Sequence, residues 1–458
     1  MRVLLISANT EKIPDPVYPI GAAYVADAAR RAGHEVTALD LCFTPDVERT
    51  LPEVIAAERP DAIGISLRNL DSSAYPLNTS YIDDYRRLMA ILRAGSDAPV
   101  ILGGAGFTVM PTTVLEHLHA EVGVVGEGEQ LFPWVLERLA QGDALVSDEL
   151  ALCQPVNGGV CVHGRARSGL EALATPARSD LFAPALYYER GGNLNVQTKR
   201  GCAFDCIFCS YPLIEGKKVR MRPPRAVVDE IEGLKAAHGA RHVFFVDNIF
   251  NLPIEHAKEI CAELIRRDTG IEWSAYLNPT FVDGELVRLM AASGCRGIEF
   301  GIDSGSPTMI AALRKMFSPD DLRRVAALCH AAGLRFCHSL IFGGPGETLA
   351  TVEETIALME ELRPTAVIAM TGIRILPGTQ MVEHALRDGQ IDDDDNLLYP
   401  KFYVSPGFAD EIIERIEAYA RTHPNWIVPG KGIRTNVEVL QRLRARKIKG
   451  PLWRLLPS

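Results

Sequence analysis

Short apolar runs alternate with helical patterns twice along this chain, and that alternation restricts it to parallel α/β architecture. In the first run, residues 1–145, the strand candidates are 3–6, 36–39, 62–66, 100–102 and 122–125, with helical stretches such as 21–32 and 82–93 between them. The second run occupies residues 191–390, with strand candidates at 194–198, 242–247, 273–277, 297–302, 335–342 and 366–375. Between them, residues 146–190 lose their periodicity and gather Gly158-Gly159, Pro155, Pro176 and Pro184. That stretch reads as a connector with a small hairpin around 160–165. A C-terminal extension, 391–458, carries helical patterns at 409–421 and 436–447. A chain of 458 residues exceeds the size at which one core keeps growing, so two or three domains are expected.

Bulk properties exclude more than they assign. A formal charge of −10 gives no overall attraction to nucleic acid. No apolar stretch approaches a membrane span, and Met1-Arg-Val-Leu-Leu-Ile-Ser7 reads as a buried first strand rather than a signal peptide. Cys42, Cys153, Cys161, Cys261, Cys295, Cys329 and Cys337 are scattered through apolar sequence. Buried thiols in a reducing compartment explain them more simply than disulfides do, so a cytoplasmic location is expected.

Three further cysteines carry the chemistry. Cys202, Cys206 and Cys209 stand in Lys199-Arg-Gly-Cys-Ala-Phe-Asp-Cys-Ile-Phe-Cys-Ser210, with three residues between the first pair and two between the second. One short loop can direct these thiolates at a single iron–sulfur cluster. Four thiolates would saturate a four-iron cubane, whereas three leave one iron open, as a catalytic metal site requires. A zinc knuckle or buried free thiols are the other readings. Zinc sites usually need two paired ligand sets, and the sequence has no second C-x-x-C-like pair.

At this loop the chain resembles the radical S-adenosylmethionine (SAM) superfamily, whose signature is C-x3-C-x2-C with an aromatic, here Phe208, before the last cysteine. The resemblance implies a 4Fe–4S cluster whose open iron binds SAM, giving a 5′-deoxyadenosyl radical on reduction. It also implies a partial (β/α)6 TIM-type barrel and an electron donor such as a flavodoxin or ferredoxin. Further matches follow at successive strand ends. Gly301-Ile-Asp-Ser-Gly-Ser306 resembles the G-x-E-S-G-S segment that holds the SAM ribose, with Asp303 in place of Glu and Ser304 beside it. Phe342-Gly-Gly-Pro-Gly-Glu-Thr348 resembles the G-x-P-G-E-T segment, in which Gly343 and Gly344 would approach the adenine. Asp247 and Asn248 fall where relatives place polar residues near the methionine moiety, and Leu376-Pro-Gly-Thr379 matches the segment after strand six. Singly each is a turn composition; in order, at the ends of successive strands, they point to one site.

The first run is similar to the cobalamin-binding, Rossmann-like domains that precede many such barrels. Pro19-Ile-Gly21, Gly103-Gly104 and Gly126-Glu-Gly-Glu129 fit its segments, which implies cobalamin contacts from Pro19, Gly21, Gly103, Gly104, Gly126 and Glu127. Tyr18 stands where other cobalamin proteins carry a cobalt-ligating histidine, and Pro16 replaces the aspartate that orients it. The resemblance therefore implies cobalamin without an imidazole below the metal. Ser66-Leu-Arg68 falls near the segment that packs on the nucleotide tail. A Rossmann-like domain without cofactor, used for docking, is the other reading.

Remaining candidates are single residues. His338 on strand five is a candidate proton acceptor, and Arg374 a candidate partner for the SAM carboxylate. Tyr276, with Asn278, ends strand three and is a candidate for lining the substrate pocket. Arg442, Arg444, Arg446, Lys447 and Lys449, followed by Leu452-Trp453, have the composition of a weak membrane-surface segment. Together these readings describe a cobalamin-dependent radical SAM enzyme methylating an unactivated carbon of a natural product or lipid. The alternatives are cyclisation or ring rearrangement without methyl transfer, and a non-catalytic docking protein.

Overall fold

The computed structural model describes residues 1–143, 145, 152–156, 159–162, 181–407, 409–429 and 437–456. Its apolar runs form two seven-stranded sheets. In the first, β1 (Arg2–Ser7) lies between β2 (Glu35–Asp40) and β3 (Ala62–Ser66), and β4 (Val100–Gly103) and β5 (Val122–Val124) continue it in parallel. Leu4, Ile6, Ile63 and Leu102 are fully buried, as strands covered on both faces require. The hairpin is β6 (Leu152–Val156) and β7 (Gly159–Val162), ahead of the expected 160–165, and it pairs antiparallel with β5. Part of the expected connector thus covers the edge of the first sheet.

The second sheet starts with β8 (Leu194–Val196). A two-stranded ladder follows, β9 (Lys199–Arg200) with β10 (Arg220–Met221), and then β11 (His242–Phe245), β12 (Glu272–Leu277), β13 (Cys295–Asp303), β14 (Phe336–Phe342) and β15 (Ala366–Thr371). The expected strand 366–375 breaks at Gly372, φ +75°, where a Cβ would lie 2.9 Å from the Tyr75 ring of the first unit. Past that break, β16 (Ile373–Arg374) pairs with β17 (Phe402–Tyr403). A seventh strand that the sequence pattern does not reveal, β18 (Trp426–Ile427), adds in parallel beside β15, so the order is β18-β15-β14-β13-β12-β11-β8.

Side-chain parity shows which face of this curved sheet encloses space. On β12, Trp273, Ala275 and Leu277 are buried, whereas Tyr276 keeps 39% exposure. Ser339 and Ile341 on β14, and Ile368 and Met370 on β15, likewise keep partial exposure between buried neighbours. His338 has the opposite parity. It is buried between Phe300 and Phe336, ring centroids 5.6 and 5.4 Å away, with the residues that pack outwards on the helical shell. It does not face the interior, so its expected role as a proton acceptor for substrate is not supported by the geometry.

The basic tail is also not a free membrane segment. Arg444 is buried, with Nε donating to Asp15 Oδ1 at 2.7 Å and Nη1 to the carbonyls of Ile448 and Gly450. Lys449 donates to the Tyr188 carbonyl and sits 4.0 Å from that ring, and Trp453 is buried. Only Arg442, Arg446 and Lys447 of the five cations remain exposed. Trp453, expected to meet a bilayer, instead packs on Cys337 and Ala366, while Leu455 keeps 47% exposure. No helix among the described residues is long and apolar enough to cross a membrane.

Candidate active site

The cysteine loop leaves β9 and runs into a short helix, Tyr211–Ile214. Gly201, φ +95°, has to be glycine, because a Cβ there would lie 2.2 Å from the Lys218 carbonyl oxygen. Cys202 N donates to Gly216 O at 3.0 Å, Cys209 N to Cys206 O at 3.1 Å, and Met381 N to Ile207 O at 3.0 Å. The loop is therefore pinned at both ends and from the sixth strand's connection. Burial raises the thiol pKa values of all three cysteines, that of Cys209 to about 12, and the thiols of Cys206 and Cys209 also feel their neighbours' charge. Among the described residues no three His, Cys, Asp or Glu side chains close on a single metal ion. The three thiols lie on one loop within electrostatic range of one another.

Around this loop the expected SAM residues divide into those that keep free polar capacity and those that do not. Asn248 gives Nδ2 to Glu215 Oε2 at 3.0 Å, while its buried Oδ1 has no hydrogen-bond partner among the described residues. Phe208 is partly buried against the core. Asp303 sits in the left-handed region, φ +64°, and one carboxylate oxygen accepts from Lys315 Nζ at 2.5 Å. Lys315 went unnoticed in the sequence because nothing in its spacing marks it. It is brought in by the turn after the helix Pro307–Ala312, donates also to Gly301 O at 2.9 Å, and lies 5.8 Å from the Phe208 ring.

Other expected contacts are occupied. Asp247 is buried and accepts from Thr198 N at 2.7 Å, Thr198 Oγ1 at 2.5 Å and Lys199 N at 3.2 Å, so it ties the end of β8 rather than facing a ligand. Ser304 is buried with Oγ on Thr355 Oγ1 at 2.9 Å. Arg374 is buried against Asp71, Nε to Oδ2 at 2.8 Å, and its remaining nitrogens donate to the carbonyls of Ile375, Lys401 and Leu397. It joins the two units instead of standing free for a carboxylate. Gly343 and Gly344 both donate to Glu347 Oε2, at 2.7 and 3.2 Å. A Cβ on them would lie 2.9 Å from Val404 and 3.0 Å from Met309, so protein packing already requires glycine there.

The first sheet ends in a cleft. The registers Ser7↔Ser66 and Ser66↔Gly103 level the carboxyl ends of β1, β3 and β4. A cavity of about 330 Å³ lies there, lined by Tyr18, Pro19, Gly21, Ser66, Gly103, Gly104, Gly126 and Glu127 together with Arg68. That lies within the roughly 300–1,000 Å³ of small-molecule pockets, at the ends of strands where a doubly wound sheet binds its ligands. Gly104, φ +96°, is obligatory, since a Cβ would meet Leu67 O at 2.5 Å. Tyr18 is buried with its hydroxyl donating to the Leu181 carbonyl at 3.2 Å. The Glu127 carboxylate accepts from Arg220 Nη1 at 2.9 Å and also pairs with Arg200, while Arg200 Nη2 reaches Glu129 at 2.5 Å. Glu127 thus borders the cleft but turns its charge to the strands that flank the cysteine loop. The far wall of the cleft is Tyr211, Ile214 and Glu215, immediately after Cys209.

Comparison with known proteins agrees with this division. Residues 6–136 match the B12 binding domain, and residues 196–359 match the radical SAM superfamily. The chain joins a B12-binding domain to a radical SAM domain. The tryptophan 2-C-methyltransferase of Streptomyces laurentii is 28% identical, over 81% of this chain and 72% of that protein. An anaerobic magnesium-protoporphyrin IX monomethyl ester cyclase of Rubrivivax gelatinosus is 25% identical over 80% of this chain and 66% of its own. The structure of the radical SAM methyltransferase TsrM of Kitasatospora setae, with tryptophan and a SAM analogue bound, superposes with a TM-score of 0.89. That match has 25% identity and covers 99% of this chain and 97% of that one.

In the radical SAM domain, the residues fit the implied cofactors at the cysteine triad and at Asn248, whose free buried oxygen is an acceptor without a donor. In the B12-binding domain, the fit is backbone. Gly104 and Gly126, φ +96° and +94°, keep side chains out of the cleft, and Gly126 N is fixed by Thr108 Oγ1 at 2.9 Å. Tyr18 lines the cleft with its hydroxyl already donated to the Leu181 carbonyl.

Proposed function

We propose that the protein is a cobalamin-dependent radical SAM enzyme that transfers a methyl group to carbon of a small-molecule substrate. The observation that carries this reading is the shared wall. Tyr211, Ile214 and Glu215 line the cleft of the B12-binding domain and follow directly on Cys209, so cofactors held on either side would face one another. When bound, the cluster supplies an electron for cleavage of SAM, and cobalamin supplies a methyl group.

The chain's own residues hold this junction stiff. Cys202, Cys206 and Cys209 are the ligands of the cluster, on a loop that Gly201 and Cys202 fix to the segment after it. Glu215, raised in pKa by burial, accepts from Gly201 N at 3.0 Å, Gln197 Nε2 at 3.1 Å and Asn248 Nδ2 at 3.0 Å, tying the loop to β8 and β11. Arg200 and Arg220 fix the same region to Glu127 and Glu129 across the domain boundary. Asn248 and Asp303 are the residues we assign to SAM, with Phe208 beside the cluster. The exposed phenol of Tyr276 faces the substrate space. A reduced flavodoxin or ferredoxin fits the need for an electron source. The sequestered tail removes the support for a lipid substrate, and the relative named as a tryptophan methyltransferase favours a soluble one.

Anaerobic reconstitution with iron, sulfide and hydroxocobalamin, followed by mass spectrometry of SAM products, tests the reading. Radical carbon methylation gives S-adenosylhomocysteine together with 5′-deoxyadenosine. Formation of 5′-deoxyadenosine without the homocysteine product would favour the cyclisation reading, to which the resemblance to the protoporphyrin ester cyclase lends support. Absence of bound cobalamin would overturn both.

A further inference from the structure

The amino end of the barrel is closed by a segment that the proposed chemistry does not use. Gly450 lies under β11, where a Cβ would come 2.6 Å from His242 Nε2. A Cβ on Gly297 of β13 would come 3.1 Å from the Trp453 ring and 3.3 Å from Pro451. Trp453 also packs on Cys337 of β14 and Ala366 of β15. It therefore touches the strands from within and fills the base of the interior.

Its indole N–H donates to Glu299 Oε1 at 2.9 Å, and Tyr276 stands opposite Glu299 on the neighbouring strand. The Cys337 thiol is turned to the His338 carbonyl. What Glu299 keeps towards the interior is acceptor capacity, from the oxygen that Trp453 does not take. Phe244 stands edge-on to Tyr276, ring centroids 5.4 Å apart, and gives the space a flat aromatic wall.

We propose that Trp453 and Glu299 form the floor of the substrate cavity, and that this floor selects a small flat substrate whose buried tip carries an N–H donor. The proposal rests on the reading of the barrel interior as the substrate site. Trp453 acts as a positioning residue: it takes one oxygen of Glu299 and leaves the other to the cavity. Glu299→Gln reverses the polarity, because Trp453 would keep the single amide oxygen and the NH2 would face inwards. Trp453→Phe in that background frees the oxygen again.

The test uses the reconstituted full chain with indole as probe and benzofuran as its isostere lacking the N–H. Wild type should bind indole about tenfold more tightly than benzofuran. Glu299→Gln should abolish or invert that preference, and Glu299→Gln with Trp453→Phe should restore part of it. Equal binding of the two probes by wild type, or an unchanged preference in Glu299→Gln, would overturn the proposal. A ligand-free readout covers variants that fold poorly. Trp453→Ala should make Cys337 react with a maleimide at least tenfold faster, with Cys261 and Cys329 still protected; an inert Cys337 in that folded variant also overturns it. Substrate-independent 5′-deoxyadenosine formation reports separately on the cluster and SAM. Its absence in wild type would fault the proposed function, whereas its retention in Glu299→Gln shows that the floor alone was changed.

Discussion

The two ends of the barrel are built in opposite ways. At the carboxyl end, each functional segment follows its own strand by a few residues: the cysteines after β9, Asp247-Asn248 after β11, Asp303-Ser304 at the end of β13, and Gly343-Gly344 after β14. At the amino end, closure comes from Gly450, Pro451 and Trp453, far along the chain from the strands they meet. Local loops carry chemistry because strand geometry fixes where each loop emerges. A distant tail carries closure because only the completed sheet offers it a surface to fill.

If that contrast is right, damage at one end should leave the other intact. The largest effect belongs to the cysteines. Replacing Cys202, Cys206 and Cys209 together by Ala removes the cluster iron, the broad visible absorption and all SAM cleavage, while Trp453 stays shielded from fluorescence quenchers. Retained cluster iron would break the assignment.

At the other end, Arg444→Met should cost about 3 kcal/mol, towards the lower end for a buried pair because Asp15 keeps some exposure. Denaturant midpoints measure the loss, and Cys337 should become reactive while cluster iron is unchanged. Coupled loss of iron would show that the two ends are not independent.

Gly104→Ala is expected to cost about 1–3 kcal/mol, since φ is +96° and the new Cβ meets Leu67 O. Cobalamin binding should fall, read from the visible spectrum after gel filtration, with iron content unaltered.

A smaller effect is set by pH. Burial raises the Glu347 carboxyl from 4.5 to about 7, so between these values the folded protein holds a proton that the unfolded chain has lost. Its contribution to stability therefore falls as pH rises through that window and levels off above it. Glu347→Gln, whose amide oxygen still accepts from Gly343 and Gly344, should remove this slope in denaturant midpoints. An unchanged slope would place the titrating group elsewhere.

Least is expected of His338→Leu. The ring has no hydrogen-bond partner among the described residues, and burial lowers its pKa to about 3, so it is neutral in the core. Stability should change by less than about 1 kcal/mol or rise, and 5′-deoxyadenosine formation should persist. A large loss of SAM cleavage would return His338 to the site.

What the sequence determined by itself was periodic or closely spaced. The alternation of apolar and helical patterns defines two parallel α/β units, and the cysteine spacing places three thiols on one loop. Gly104 and Gly126, both at positive φ, mark backbone that must stay bare. These features are legible because neighbours in the chain share one local geometry. Individual polar side chains were less legible. Asp247 and Ser304 stand at the right strand ends but bond to Thr198 and Thr355, and Arg374 is held by Asp71, more than three hundred positions earlier (303 apart). Lys315 enters beside Asp303 without a motif, and Trp453 reads as an interfacial tryptophan until Glu299 is beneath its N–H. Such pairings belong to the tertiary structure, because a buried charge or donor takes whichever partner the packed fold brings within hydrogen-bond reach, and sequence distance does not constrain that choice.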